Sequence, residues 1–257
     1  DDAFLAWGWR VPFLLSIVLV GVGVFVRISI SESPVFEEVK REKSTAKAPI
    51  MVVLRSYPKE TLLVAGCSIA FGVAFYLMAV FGVSYGTGQL GKTNSEMLTI
   101  ILVAMAFTTV GVVFFGWLSD RVGRRIIFLT GSIGMALLAF PWIWLISSQS
   151  FAATLAGYLL LCLPYSAAWG TAGVFFAERF ETRARYSGVS VGFTIGNIAG
   201  SAVAPMIATS LFSAFQTASA VGWYLVAMAA ISVISAILLI ETQPTRETTA
   251  SEPAAVQ

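Results

Sequence analysis

Five long stretches of this sequence contain no aspartate, glutamate, lysine or arginine, and their lengths constrain the fold more than any other feature. They cover residues 11–26, 61–91, 97–119, 126–177 and 186–240. A helix that crosses the hydrocarbon core of a bilayer needs about 20 apolar residues. The last two stretches are each long enough for two helices, and polar residues interrupt them at 147–150 and 213–217. We therefore expect seven transmembrane helices, near residues 10–29, 61–84, 97–117, 126–146, 152–176, 188–212 and 220–240.

The composition supports this prediction. Only 12% of the 257 residues are charged, 57% are hydrophobic and the mean hydropathy is +0.83. A soluble domain carries about 25% charged residues, so the composition argues against a soluble enzyme, a nucleic-acid binder or a disordered protein. The apolar runs are continuous rather than alternating, which favours helices over barrel strands. We predict an all-α integral membrane protein.

The positions of the lysines and arginines predict an orientation. If alternate loops lie on one side, that side holds fourteen of the sixteen, and the other side holds only Arg10 and Lys92. Cytoplasmic loops of membrane proteins carry the excess of Lys and Arg. We expect a multi-pass membrane protein whose Lys- and Arg-rich loops and C-terminus lie in the cytoplasm.

The third span ends in a distinctive motif, GWLSDRVGRR, at residues 116–125. Gly116 would let two helices approach closely, and Gly123 permits a turn that other residues resist. Asp120 could accept hydrogen bonds from the neighbouring arginines or cap the start of another helix. A plain positive-inside loop that contacts lipid phosphates is the alternative interpretation.

This motif resembles the signature loop of the major facilitator superfamily, Gly-x-x-x-Asp-Arg-x-Gly-Arg-Arg/Lys, which joins helices two and three and again helices eight and nine. Residues 32–36 and 177–188 resemble the segments after helices six and ten of the same family. The opening, WGWRVPFLL at 7–15, resembles the metabolite:proton symporter branch, which includes proline/betaine, shikimate and 2-oxoglutarate carriers. Glu181 departs from the pattern, since related transporters often have proline there.

The resemblance implies that the seven spans correspond to helices six to twelve of a twelve-helix fold. That fold has two six-helix halves with the substrate held between them. We expect residues 1–29 to contain helix six, 30–59 to form the central cytoplasmic loop, 60–241 to form the C-terminal half and 242–257 to be a disordered tail. The first five helices, and with them the N-terminal half, are expected to lie outside this chain.

The same resemblance implies secondary active transport of a small polar metabolite, of organic-acid, amino-acid or betaine type, by proton-coupled symport and alternating access. The partners would be the substrate, protons, the bilayer and the N-terminal half, with no cofactor, metal or nucleic acid. The gate would be the signature loop, namely Gly116, Asp120, Arg121, Gly123, Arg124 and Arg125. Rival hypotheses are a half-carrier that serves as an assembly partner or ligand sensor, a membrane-embedded enzyme and a channel. The enzyme is disfavoured because the spans hold no His, Asp, Glu, Lys or Arg.

Candidates for the substrate cavity are polar or aromatic, because no ionisable side chain other than Tyr or Cys lies inside a predicted span. A proton-carrying acid, if there is one, is therefore expected in the missing half. Tyr158, Tyr165 and Trp169 share a helical face with Cys162. The cavity candidates are Tyr76, Tyr158, Tyr165, Trp169 and Asn197. Packing of aromatic rings between helices, and interhelical hydrogen bonding by Asn197, are the alternatives.

Glycines recur every fourth residue in the sixth span, at Gly188, Gly192, Gly196 and Gly200. Such a stripe lets another helix approach closely. It could serve a sliding contact with the opposite half or static packing within this one. The two cysteines, Cys67 and Cys162, lie in apolar runs and are expected to be small buried hydrophobic residues.

Overall fold

A computed structural model describes residues 6–29, 49–182 and 184–239. Most of the expected loop at 30–59 and the tail at 242–257 lie outside the described residues, as does Arg183. Within the described ranges the regular structure is entirely helical, and seven helices are long and apolar enough to cross a membrane. The predicted fold class and number of spans are therefore confirmed.

The first helix belongs to a separate unit, residues 1–46. A single 3-10 turn, Gly8–Arg10, leads into α1, Val11–Ser29. Pro12 stands in the first turn, where its missing N–H breaks no helical hydrogen bond. The Arg10 guanidinium lies 4.5 Å from the centre of the Trp9 ring, and such an amphipathic pair suits the edge of a bilayer.

The second unit, residues 47–257, holds the other helices. A short helix, α2, lies within the stretch expected to be a loop. The remaining six correspond to the six predicted spans. Their bounds are α2 Pro49–Ser56, α3 Pro58–Gly88, α4 Asn94–Val122, α5 Arg124–Ile146, α6 Phe151–Ala177, α7 Arg185–Phe215 and α8 Ser219–Leu238.

Local chemistry fixes several of these boundaries. Thr93 and Glu96 form a capping box at the start of α4, in which each side chain accepts from the other residue's backbone N–H. The Ser150 hydroxyl accepts from the Ala153 amide at the start of α6. Gln216 closes α7 in the left-handed conformation, with a φ of 52°.

Packing in this unit is organised around α3 and α6. α6 packs along α4 and α5, α8 packs along α3 and α5, and α7 packs along α3. Large buried rings fill the interior; for example, Phe128 on α5 stacks on Phe175 of α6 at 5.1 Å. Gly131 on α5 lies so close to α6 that an added Cβ would be 2.7 Å from the Pro164 carbonyl oxygen.

Two helices contain a π-helical turn that the sequence analysis did not predict. It covers Leu77–Phe81 in α3 and Asn197–Ala202 in α7. In α7, buried small residues recur every fourth position from Gly188 to Ala208. Four residues of an α-helix rotate about 40° past a full turn, so such a stripe drifts around the helix. A π-turn holds an extra residue and brings the stripe back towards α3.

Candidate functional site

The signature loop turns on Gly123. Its φ of 108° lies in a region that side chains rarely adopt. Its amide donates to the Ser119 carbonyl at 3.0 Å, which closes α4. Since α4 ends at Val122 and α5 begins at Arg124, glycine alone joins the two helices.

Arg124 ties together the ends of three helices. One of its terminal nitrogens lies 2.9 Å from the Asp120 carboxylate on α4, and the other contacts the carboxylate of Glu178, which ends α6. We call Asp120, Arg124 and Glu178 the clasp. Their side chains are 62%, 35% and 39% exposed. Ion pairs this exposed contribute about 0–1 kcal/mol, so the clasp fixes geometry more than it stabilises the fold.

The other two signature arginines make separate contacts. The Arg121 guanidinium lies 4.1 Å from the centre of the Trp117 ring, which is a cation–π arrangement. Arg125 donates to the Ile237 carbonyl at 2.9 Å, near the end of α8. Arg124 and Arg125 together therefore connect the start of α5 to the ends of α4, α6 and α8.

Glycine permits close approach of α4 and α6 beside the clasp. A Cβ on Gly116 would be 3.5 Å from the Gly170 carbonyl oxygen, and a Cβ on Gly170 would be 2.6 Å from the Val112 carbonyl oxygen. The backbones of the two helices are therefore in contact, and any side chain at Gly170 would force them apart.

A cluster of aromatic rings lies between three of the spans, away from their ends. Phe71 on α3, Trp169 on α6 and Phe193 on α7 surround one another, with ring centres 5.1, 5.9 and 6.1 Å apart. Phe71 is buried, whereas Trp169 is 40% exposed. Trp169 thus presents an accessible edge that is backed by two other rings.

A second layer of rings continues the cluster. Phe75 lies one helical turn along α3 from Phe71, and its ring centre is 5.4 Å from that of Tyr76 and 6.5 Å from that of Tyr165. Tyr76 is 37% exposed, and Tyr165 is buried. We call the two layers together the aromatic face; it brings together three of the five cavity candidates.

Tyr158 has a different position from the other candidates. Its side chain is fully buried, and its hydroxyl donates at 2.8 Å to the Met78 carbonyl, inside the π-turn of α3. Irregular backbone in a membrane helix needs such partners, since lipid supplies none. In this structure the Tyr158 hydroxyl therefore supports the irregular backbone of α3. Cys162 and Cys67 are both buried, as expected.

Asn197 lies at the first position of the π-turn in α7. Its side-chain oxygen accepts a hydrogen bond of 2.8 Å from the Ser201 hydroxyl. One turn earlier on the same helix, Phe193 belongs to the aromatic face. Asn197 therefore flanks that face at mid-span.

The glycine stripe of α7 packs within this unit. Gly192 lies against Val64, Gly196 against the Ala65 carbonyl and Gly200 against Ile69, all on α3, while Gly188 lies against the Phe180 ring. Three of the four glycines therefore face α3, within this unit.

In the part of the chain that the structure describes, charged groups are confined to the helix ends and connections. Among the described residues, the acids are Glu60, Glu96, Asp120, Glu178 and Glu181, each in the first or last turn of a helix or in a connection. At the end opposite the clasp, Lys92 donates at 2.7 Å to the hydroxyl of Thr154. Partial burial lowers the pKa of Lys92.

Several residues of the clasp and of the aromatic face were not predicted from the sequence. Glu178 was available as the acid directly after α6, but nothing in the sequence pairs it with Arg124. Phe71 and Phe75 are four residues apart, as are Phe193 and Asn197, and that spacing is the signal that could have indicated a shared face.

Helices long and apolar enough to cross a membrane, with the described charges at their ends and an aromatic face between them, define a multi-pass α-helical membrane protein. Comparison with known proteins is more specific. The sequence profile of the Major Facilitator Superfamily matches residues 3–191 and, in a second overlapping match, residues 89–256. This chain belongs to the Major Facilitator Superfamily.

Three individual relatives are consistent with this family membership. The inner membrane metabolite transport protein YhjE of Escherichia coli K12 is 37% identical over 254 residues, which are 95% of this chain and 56% of that protein. The shikimate transporter of the same organism is 31% identical over 247 residues, 95% of this chain and 56% of that protein. The glycine betaine/proline/ectoine/pipecolic acid transporter OusA of Dickeya dadantii is 30% identical over 256 residues, 94% of this chain and 50% of that protein.

The chain spans about half the length of these curated relatives. All three are transporters and none is an enzyme, which argues against the enzyme hypothesis for this chain. Proline/betaine and shikimate transporters, which the opening residues resemble, are among the proteins matched.

Proposed function

We propose that this chain is the C-terminal part of a carrier that moves a small polar metabolite across the bacterial inner membrane. The family membership and the printed names of the relatives support transport of small molecules. In this proposal α1 corresponds to helix six and α3–α8 to helices seven to twelve, so residues 60–241 form the C-terminal half.

The observation that carries the proposal is the aromatic face. Trp169 and Tyr76 are partly exposed at mid-span, backed by buried rings from α3, α6 and α7. Rings can stack on a substrate, and Tyr and Trp can also hydrogen-bond it. Ligand sites in transporters lie near the bilayer midplane between repeats, and we place the aromatic face in that region.

Alternating access would then use the clasp as a mechanical part. Arg124 holds the ends of α4 and α6 to the start of α5, so these three helices would move together when the halves rock. We place the clasp in the cytoplasm, because the same side holds most of the Lys and Arg.

Proton coupling requires an acid within the membrane, and none of the described residues supplies one there. The described acids lie at helix ends or in connections, so we place the proton-carrying acid in the N-terminal half. The test is uptake driven by an imposed pH gradient, in variants whose acids in the first five helices are changed to amides. Coupling that survives all of these changes would contradict this assignment.

The main test is uptake by cells that express the open reading frame containing this chain. Radiolabelled shikimate, L-proline and glycine betaine form the panel. We expect uptake of at least one, and its loss in Trp169→Ala. Trp144→Ala is the matched control, because Trp144 lies on α5 and is exposed, outside the aromatic face. Uptake that is equal with and without expression for every member of a broad metabolite panel would contradict transport.

A further inference from the structure

We infer that the side-chain amide of Asn197 donates a hydrogen bond to a carboxylate oxygen of the substrate, and that Ser201 is the positioning residue that orients it. This inference rests on the proposed function. It adds the atom that makes the contact and the chemical class of the group contacted.

The orientation of the amide follows from its neighbour. The Ser201 hydroxyl donates to Asn197 Oδ1 at 2.8 Å, so the oxygen is already used as an acceptor. Ser201 is itself buried. The remaining hydrogen-bonding capacity of Asn197 is therefore its Nδ2 group, which has two N–H donors.

Those donors have no partner among the described residues. Nδ2 donates to none of them, and it is accessible rather than buried. Lipid tails supply no hydrogen-bond acceptor. Nδ2 is therefore available to an acceptor from outside the described residues, such as a bound substrate.

Space for the pair is made on the facing helix. A Cβ on Gly72 of α3 would overlap the Ser201 hydroxyl and lie 3.3 Å from Asn197 Oδ1. Glycine at this position lets the polar pair sit between α3 and α7. The π-turn that begins at Asn197 is the kind of local irregularity that recurs at functional sites.

The surroundings indicate what the acceptor is. Phe193, four residues before Asn197, packs on Phe71 and Trp169, so Asn197 follows the aromatic face by about one turn along α7. Within the described spans no Lys or Arg lies at this depth. The Asn197 amide is thus a neutral donor that can meet an anionic oxygen beside the donors of Tyr76 and Trp169, and hydrogen bonds to charged groups are stronger than neutral ones.

The decisive variant is Asn197→Asp. It has the same size and keeps an oxygen that accepts from Ser201, but it replaces the donor with an anionic acceptor. We expect KM for the transported carboxylate to rise about ten- to a hundredfold, with a smaller change in kcat. Asn94→Asp is the matched control, since Asn94 is the other asparagine of the chain, is exposed and begins α4; its KM should equal that of the wild type.

Ser201 provides the second arm. Ser201→Ala frees the amide to rotate and should raise KM by a smaller factor, whereas Ser201→Thr keeps the hydroxyl and should restore the wild-type KM. A KM for Asn197→Asp within about twofold of the wild type would overturn the inference. An unchanged KM together with a lower yield of folded Asn197→Asp protein would also overturn the inference, because that result would show that the amide serves packing and not substrate binding.

Failure of the inference differs from failure of the proposed function. The probes are shikimate, L-proline and glycine betaine, used both for uptake and as ligands that raise the thermal unfolding temperature of the purified protein. If the wild type transports and is stabilised by one of them and Asn197→Asp behaves identically, only the inference fails. If the wild type neither transports nor is stabilised by any carboxylate tested, the proposed function fails with it.

Discussion

The hydroxyl of Ser232 on α8 donates a hydrogen bond of 2.8 Å to the carbonyl oxygen of Gly66 on α3. The same hydroxyl accepts from the Ala70 amide at 3.0 Å. Gly66 and Ala70 are the residues whose carbonyl and amide pair with each other in a regular α-helix. A buried side chain of one helix therefore bridges the backbone of another.

Replacing Ser232 with alanine should destabilise the fold. The change leaves two buried backbone groups without this partner, at a cost of about 1–3 kcal/mol. The measurement is the free energy of unfolding in an SDS titration. Ser210→Ala, at an exposed position of α7, is the control and should be neutral. Equal midpoints for the two variants would show that α3 closes its own hydrogen bond without Ser232.

Tyr158→Phe should affect stability rather than substrate affinity. Its ring would still pack, but the Met78 carbonyl in the π-turn would lose its donor, at a cost of about 1–3 kcal/mol. Tyr76→Phe, on the exposed part of the aromatic face, is the comparison. We expect the SDS midpoint to fall for Tyr158→Phe alone. A raised KM at unchanged stability would contradict this prediction and would indicate that the Tyr158 hydroxyl contacts the substrate.

Two helical glycines should respond to alanine in opposite ways. A Cβ on Gly131 would lie 2.6 Å from the Ala168 amide nitrogen and 2.7 Å from the Pro164 carbonyl oxygen, neither of which can move without its helix. Gly131→Ala should cost about 1–3 kcal/mol. Gly173 has open space, so Gly173→Ala should gain up to about 1 kcal/mol from helix propensity. Thermal unfolding in detergent measures both, and the prediction fails if the order is reversed.

The clasp should control turnover more than binding. Asp120→Asn and Glu178→Gln each leave Arg124 one partner, whereas Arg124→Gln leaves two carboxylates near each other without their cation. We expect kcat to fall in all three, most in Arg124→Gln, with KM changed by less than about threefold. Wild-type turnover in Asp120→Asn would count against the clasp.

Cysteine labelling should settle the orientation. Both native cysteines are buried, so the background reaction with a membrane-impermeant maleimide should be low. Tyr186 is 86% exposed near the clasp, and Gln149 is exposed in the loop at the opposite end. In intact cells we expect Gln149→Cys to react, and Tyr186→Cys to react only after permeabilisation. The reverse pattern would invert the proposed topology.

The spans could be predicted from the sequence, because each one requires a stretch of about 20 apolar residues without charges. The hairpins at 147–150 and 213–217 were recovered for the same reason: α5 and α6, like α7 and α8, are separated there. The short helix α2 was not, since its eight residues fall within a polar, proline-containing stretch that resembles a loop.

Most of the site depends on distances that a linear pattern does not contain. The spacing of Tyr165 and Trp169 correctly placed them on one helical face, but the partners Phe71 and Phe193 come from other helices. The same spacing grouped Tyr158 with them. Its hydroxyl instead donates to the Met78 carbonyl. That carbonyl lies in the π-turn of α3, and no pattern within α6 reveals that it needs a donor.

The confinement of acids and bases to helix ends has a consequence for biogenesis. A charged residue at the centre of an inserting helix costs about 2.5–3.5 kcal/mol at the translocon, and no helix described in this chain carries one there. Each segment can therefore leave the translocon and enter lipid on its own hydrophobicity, before its neighbours have been synthesised. Assembly would then begin with helices already in the bilayer, and contacts such as those of Arg124 and Ser232 would form afterwards, as the helices find one another.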